Sequence, residues 1–384
     1  GAGQELGALL PQASMSPRSA APIPEVPGIL TSAQVAESAR SIVAMQESDG
    51  AIPWTIGEHV DVWNHVEGAM ALMVGNEFEA AEKAYDWCLR NQREDGSWAM
   101  KIVQGEVEDA SGETNMSAYL AVGVWHHWLE RRDFEFVERM WPTVRKALDF
   151  VTGMQLPFGG ICWSQEWDQN GPAKINREAL LAGSSSIYQS LRAGVSLAEL
   201  VSDPQPDWEL AGGRLGHALR EHRDLFLDKS LFSMDWYYPV LGGAVRGQAG
   251  IELIDSQWET FVVPDLGIRC VSDNDWVTGA ETCELVMALD ALDDRERALQ
   301  LFAEMQHLRD EGGRYWTGYV WPDEVNWPVE HTTYTAAAVI LAADELARTT
   351  ATSGIMRGDS LAPHFAEIGL ECGCISADRV SGRA

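Results

Sequence analysis

Residues 91–100 read NQREDGSWAM. An amphipathic run precedes them, and the stretch stops it with Gln92, a turn pair Asp95-Gly96 and a Trp98 that no helix requires. The same words recur. Gln46 is followed by Asp49-Gly50 and Trp54, Gln155 by Gly159-Gly160 and Trp163, and Gln306 by Gly312-Gly313 and Trp316. Repetition on this scale is the mark of a fold built from copies of one supersecondary unit. Each glycine is expected to supply the positive φ at which a helix ends, and each tryptophan to cover the apolar edge of the loop that follows.

The runs between these words are of two kinds. Segment 77–92 places Phe78, Ala81, Tyr85 and Cys88 on one face, and segment 134–154 does the same with Val137, Met140, Trp141, Val144, Leu148 and Val151. One apolar stripe and one charged face describe a helix on the outside of something. The stretches GAMALMVG (68–75), MSAYLAVGVW (116–125) and TAAAVILAA (335–343) are apolar all round and belong inside. Outer-type runs near 32–46, 77–92, 134–154, 206–223, 248–260 and 294–308 alternate with inner-type runs near 63–75, 116–131, 183–201, 235–246, 278–292 and 331–348. Six such pairs close into an all-α ring, the (α/α)6 toroid. Strand signals are nearly absent, FVVPDL (261–266) being the best. The ring takes residues 29–350. Residues 1–28, rich in Ala, Pro and Ser, read as a flexible lead, and 351–384 as a tail packing on or extending from the barrel.

The 384 residues carry 28 basic and 58 acidic side chains, a formal charge of −30, with only five lysines. Such a field repels nucleic acid and anionic membranes. No apolar run is long enough to span a bilayer. Cys88, Cys162, Cys270 and Cys283 sit in apolar surroundings and read as reduced core thiols of a cytoplasmic protein. His364, Cys372 and Cys374 in the tail form a weak metal-site candidate.

In a toroid every inner helix begins at the same mouth. The residues expected there are Asp61, His65, Glu113, Asp235, Tyr237, Glu281, Glu330 and His331, with Trp54, Trp63, Trp163, Trp276, Trp316 and Trp327 in the loops that lead in. Singly, acids at helix starts are caps and tryptophans at turns are packing. Together they describe a lined pocket. Indoles stack on the apolar faces of sugars, and paired carboxyls, one protonated and one ionised, cleave glycosidic bonds.

The stretch VWNHVEGAMALMVGNEFEAAEKAYDWCLRNQREDGSW (62–98) resembles the early helices of six-hairpin glycosidases of the glucoamylase type, as does GVWHHWLERRDFEFVERMWPTVRKALDFV (123–151). The resemblance implies a hydrolase acting on a glycoside or small oligosaccharide, without a cofactor and with inversion. It implies a general acid in CWSQEWDQNGP (162–172), Glu166 or Asp168. It also implies a general base opening the last inner helix, where EHTTY (330–334) offers Glu330. Glu281 is the other candidate base. The Gln-Gly-Trp words are also similar to those of squalene cyclases and of protein prenyltransferase β subunits. That second resemblance implies zinc on Glu281, Cys283 and His331, and an isoprenoid diphosphate met by Arg177, Arg192, Arg246 or Arg269. A third reading is a toroid that binds without catalysis, which needs the indoles but no carboxyl pair of perturbed pKa.

Overall fold

The computed structural model describes residues 17–366, which fold as an (α/α)6 toroid. The outer ring is α1 (Ser32–Met45), α3 (Phe78–Asn91), α6 (Phe134–Thr152), α8 (Pro206–Glu221), α10 (Gly247–Ser256) with the short α11 (Trp258–Phe261), and α13 (Arg295–Glu304). The inner ring is α2 (Val62–Val74), α4 (Thr114–Ala118) continued by α5 (Leu120–Arg131), α7 (Leu181–Leu200), α9 (Ser233–Leu241), α12 (Gly279–Ala291) and α14 (Thr333–Ala347). The burial follows the polarity of the sequence. Nearly every residue of α2, α12 and α14 is buried, whereas α3 buries Ala81, Ala84, Tyr85, Trp87 and Cys88 and leaves its charges wet.

The repeated words have a specific task. Gln46, Gln92 and Gln155 each donate their side-chain amide twice. One bond goes to the glycine carbonyl of their own turn: Gly50, Gly96 and Gly159 at 3.0, 3.0 and 2.9 Å. The other goes to a carbonyl on the next outer helix: Ala80, Thr143 and Ala211 at 2.9, 2.8 and 2.9 Å. The glycines press on that same helix. A Cβ on Gly96 would lie 2.2 Å from the Lys146 oxygen, and Gly96 has φ +97°. The glycine is therefore not the helix cap, as expected, but the residue of the following turn on which the next helix rests. The cap position belongs to Gln46 and Gln92, in extended backbone. Trp98 is buried, its Nε1 donating to the Cys88 carbonyl at 3.0 Å. The fourth copy departs in detail, since Gln306 bonds within its own segment and to the Tyr315 hydroxyl. It still closes the ring, because Gly313 lies on α1, where the Ser38 hydroxyl donates to its carbonyl at 2.8 Å.

The connections from outer to inner helices contain ten strands among the described residues, contrary to the reading of the sequence. β1 (His59–Val60), β2 (Ala99–Val103), β3 (Glu106–Glu113), β4 (Cys162–Asp168) and β5 (Gly171–Ala179) form one antiparallel sheet in that order. β10 (Val325–Asn326), β9 (Gly318–Val320), β8 (Trp276–Thr278), β7 (Gly267–Arg269) and β6 (Val262–Val263) form the other. These strands are short or polar on both faces, as in EVEDASGE (106–113), so no alternation marks them. A tight hairpin at Gln104-Gly105, both with positive φ, pairs Val103 with Glu106.

At the far end, residues 351–362 close the barrel. Ile355 and Met356 are buried, and Arg246 donates to the carbonyls of Met356 and Arg357, both at 2.9 Å. The described part of the lead also packs: Val26 is buried, and the Arg18 amide donates to the Arg131 carbonyl. Residues 1–16 and the tail cysteines Cys372 and Cys374 lie outside the described residues, whereas His364 meets the Tyr188 hydroxyl at 3.0 Å.

Candidate active site

The first turns of all six inner helices meet around one cavity of about 260 Å3. Asp61, Trp63 and Asn64 come from the start of α2, and Glu113, Asn115 and Met116 from α4. Ala182 and Gly183 come from α7, Met234 and Tyr238 from α9, Glu281 from α12 and Tyr334 from α14, with Trp54 at the rim. The chain brings them together because every inner helix is entered from the same side.

Three carboxyls face this space, and they differ. Asp61 caps α2: its Oδ1 accepts from the Asn64 amide and its Oδ2 from the Asn64 side chain, both at 2.8 Å, and His59 Nε2 lies 3.7 Å away. Burial raises its pKa, and those donors and His59 oppose the rise. Glu113 caps α4 with both oxygens, accepting from the amides of Asn115 at 2.9 Å and Met116 at 3.3 Å. Burial pushes it up to about 8, the capping amides pulling the other way. Glu281 stands in the first turn of α12, where the Cys270 thiol lies at 3.9 Å and the Thr278 side chain and its own backbone amide also favour its anion. Burial raises it as well.

Aromatic rings shape the walls. Trp63 stacks on Tyr119 with centroids 4.4 Å apart, and Trp54 tilts against Tyr334 at 5.5 Å. One turn below Glu281, Glu284 is clamped by tyrosines: Tyr237 and Tyr334 donate to its Oε1 at 2.6 and 2.8 Å, and Tyr238 donates to Oε2. Burial and the charge of Glu281 push Glu284 up to about 7 against those three hydroxyls. Glu67 lies across from it, bonded to the Tyr119 hydroxyl at 3.2 Å and raised well above the ordinary carboxyl range by burial and by Glu284. This polar floor fixes the rings and keeps α2, α9, α12 and α14 in register.

Several residues expected at the mouth stand elsewhere. His65 is a tie in the core: its Nδ1 accepts from the Ile52 amide at 3.0 Å, its Nε2 meets the Ala84 carbonyl at 2.6 Å, and burial lowers it to about 4. Tyr237 serves Glu284 from below. Asp235 lies in a neighbouring cavity of about 370 Å3 lined by Arg223, Phe226 and Trp236, and burial pushes it up to about 6. Glu166 and Asp168 are exposed on β4, outside the cavity lining, because the loop expected to deliver an acid is a hairpin projecting into solvent. Trp163 lies half-buried at the base of that hairpin. Glu330 stands behind Trp54, accepting from its Nε1 at 3.1 Å, rather than in the lining. Trp276, Trp316, Trp327 and His331 belong to the outer rim, where Trp316 packs on His331 at 3.9 Å and His331 pairs with Asp310 at 2.8 Å.

The zinc set does not assemble. Glu281 and Cys283 are two positions apart on a helix and face different ways. Cys283 is buried with its thiol against the Met305 sulfur at 3.8 Å, and His331 is turned to Asp310. Among the described residues no group of three His, Cys, Asp or Glu side chains has the arrangement of a metal site. Asn64, Met116, Ala182, Gly183 and Met234 line the cavity unforeseen. The polar Asn64 had a usable signal, three residues after an N-cap aspartate.

No family model matches the chain. It is 53% identical over 357 residues to the MMP endo-(1,4)-3-O-methyl-alpha-D-mannosidase of Mycolicibacterium hassiacum, an alignment covering 93% of this chain and 98% of that protein. Among solved structures, a wild-type glycosidase superposes with a TM-score of 0.62 at 13% identity, over 84% of this chain and 98% of its own. A D-mannose isomerase gives 0.61 at 10% identity over 83% and 97%. A rhamnosidase from Klebsiella oxytoca with rhamnose bound gives 0.57 at 12% identity over 86% and 66%. These three share the toroid.

Proposed function

The chain belongs to the family of the MMP endo-(1,4)-3-O-methyl-alpha-D-mannosidase and is a glycoside hydrolase, and from that premise we propose that it cleaves internal α-1,4 bonds of a 3-O-methylated mannose chain, with Glu281 and Asp61 as the working carboxyls. The observation that carries the assignment is the unequal engagement of the three acids in the cavity. Both oxygens of Glu113 are spent on backbone amides, which suits a residue that caps a helix and stiffens the wall. Asp61 is supported as an anion by Asn64 and His59, which suits the ionised partner. Glu281 is buried, and burial raises it in spite of the Thr278, Cys270 and backbone donors, which suits the group that keeps a proton and delivers it to the leaving oxygen.

In this reading the sugar at the scissile bond lies on the Trp54, Trp63 and Tyr334 rings. Glu281 protonates the departing glycosidic oxygen as positive charge builds on the anomeric carbon. Asp61 stabilises that charge and takes the proton of the attacking water. The test is product analysis on a defined 3-O-methylmannose oligomer with wild type, Glu281→Gln, Asp61→Asn and Glu113→Gln. Internal cleavage by wild type and Glu113→Gln, with loss of turnover in the other two, is the expected result. Full turnover in Glu281→Gln would remove the assignment.

A further inference from the structure

The large apolar side chains that reach solvent are not scattered. Ile56, Val107, Leu210, Leu231, Phe232, Val325, Trp327 and Val329 are the exposed large hydrophobics among the described residues. All but Leu210 lie in connections that lead from an outer helix to an inner one, the segments that ring the mouth. Ile56 lies two residues after Trp54, and Val329, 84% exposed, directly precedes Glu330, the residue to which Trp54 is hydrogen-bonded. Trp327, 52% exposed, is held edge-on against Trp276 with centroids 5.3 Å apart, and Trp276 Nε1 donates to its carbonyl at 2.7 Å. Trp276 begins β8, which runs straight into α12 and Glu281. On another side, Leu231 and Phe232 precede Met234 of the cavity wall.

A carbohydrate with free hydroxyls can stack on Trp327 or Phe232 but gains little from the aliphatic Ile56, Leu231 and Val329. A methyl ether has lost its donor and gained an apolar group, and it is attracted to apolar surface. The cavity, about 260 Å3, is small for a ligand site and takes only a short piece of chain. An enzyme cutting within a polymer must rest the remainder outside the cavity. With a formal charge of −30 over the whole chain, an anionic lipid surface is an unfavourable occupant.

We propose that the apolar rim formed by Ile56, Trp327, Val329, Leu231 and Phe232 is a set of outer subsites that bind the methyl-bearing faces of mannose units beyond those in the cavity. The inference rests on the substrate class proposed above and adds where the chain lies and what selects it. Carboxylates and amides in the cavity read hydroxyls, and the rim reads methylation and length.

The experiment compares wild type, Val329→Ser, the double variant Ile56→Ser/Val329→Ser, and Leu210→Ser as an exposed apolar control on α8. Each is assayed on a short methylated oligomer that the cavity can hold, on a long methylated chain, and on a long unmethylated α-1,4-mannose chain. The double variant is expected to lose about tenfold in kcat/KM on the long methylated chain, through KM, with the short oligomer unchanged and Leu210→Ser unaffected. Wild type is expected to prefer the methylated long chain over the unmethylated one, and the double variant to lose most of that preference. Equal behaviour of wild type and double variant on the long methylated chain would overturn the rim assignment while leaving the hydrolase reading intact. So would self-association, or binding to phosphatidylcholine vesicles, that the double variant abolishes while long-chain KM stays unchanged. No cleavage of either methylated substrate by wild type would overturn the substrate class itself and the rim with it.

Discussion

The indole nitrogen of Trp54 donates to Glu330 Oε1 at 3.1 Å, joining segments 276 positions apart. Beside it, the Thr333 amide donates to the Trp54 carbonyl at 2.9 Å, so the ring is closed at the mouth by the loops that enter its first and last inner helices. Glu330, which the family resemblance offers as a general base, holds this aromatic wall. Glu330→Ala is therefore expected to raise KM several-fold while kcat stays within a factor of about three, and Glu330→Gln, which keeps an acceptor oxygen, to stay near wild type. Steady-state kinetics decide it; a collapse of kcat in Glu330→Gln would return Glu330 to the chemistry.

Removing the working carboxyls has a larger expected effect. Positioned acid–base groups contribute about 10² to 10⁴ in rate. Glu281→Gln and Asp61→Asn are each expected to lower kcat by that order with KM little changed. Both groups are raised by burial, so the bell of kcat/KM against pH is expected to sit above the ordinary carboxyl range. Activity rises as Asp61 ionises and falls as Glu281 loses its proton. Persistence of the alkaline limb in an active Glu281→Gln would contradict the assignment.

Glu113 gives a stability signature of definite sign. Its folded value, about 8, lies above the 4.5 of a free glutamic acid. The fold therefore holds a proton that the unfolded chain gives up. Its contribution is fully present below about pH 4.5, erodes above that and is gone once pH passes about 8. A shift of that size bounds the effect at about 5 kcal/mol. Wild type is expected to lose melting temperature between pH 5 and pH 8, and Glu113→Gln to flatten that slope while losing one cap bond at all pH values. Parallel curves for the two proteins would refute this.

Gly96 tests the repeat. Alanine there combines φ +97° with a Cβ 2.2 Å from the Lys146 carbonyl oxygen. Gly105 has φ +86° and nothing within 4 Å. Gly96→Ala is expected to cost about 3 kcal/mol or more and Gly105→Ala about 1 kcal/mol, since the second carries only the backbone strain. Chemical denaturation of the two variants, with equal losses as the failing outcome, separates contact from conformation.

The sequence determined the ring. The alternation of one-faced and all-round apolar runs fixes which helices lie outside and which inside, because burial of apolar surface depends on composition and period alone. Asp61, Glu113 and Glu281 were legible as residues at the inner mouth, since a helix start is a local feature. The hairpins were not legible, because strands this short and polar are held by hydrogen bonds to partners distant in the chain and leave no alternation in it. For the same reason it was not legible that Glu166 and Asp168 lie exposed outside the cavity lining, that Glu330 holds an indole, or that His65 is tied into the core. What the tertiary structure alone decided is which carboxyl is spent on capping, which on holding an indole and which stands buried and raised beside a thiol. A side chain's protonation and engagement depend on neighbours that the closing of the barrel supplies.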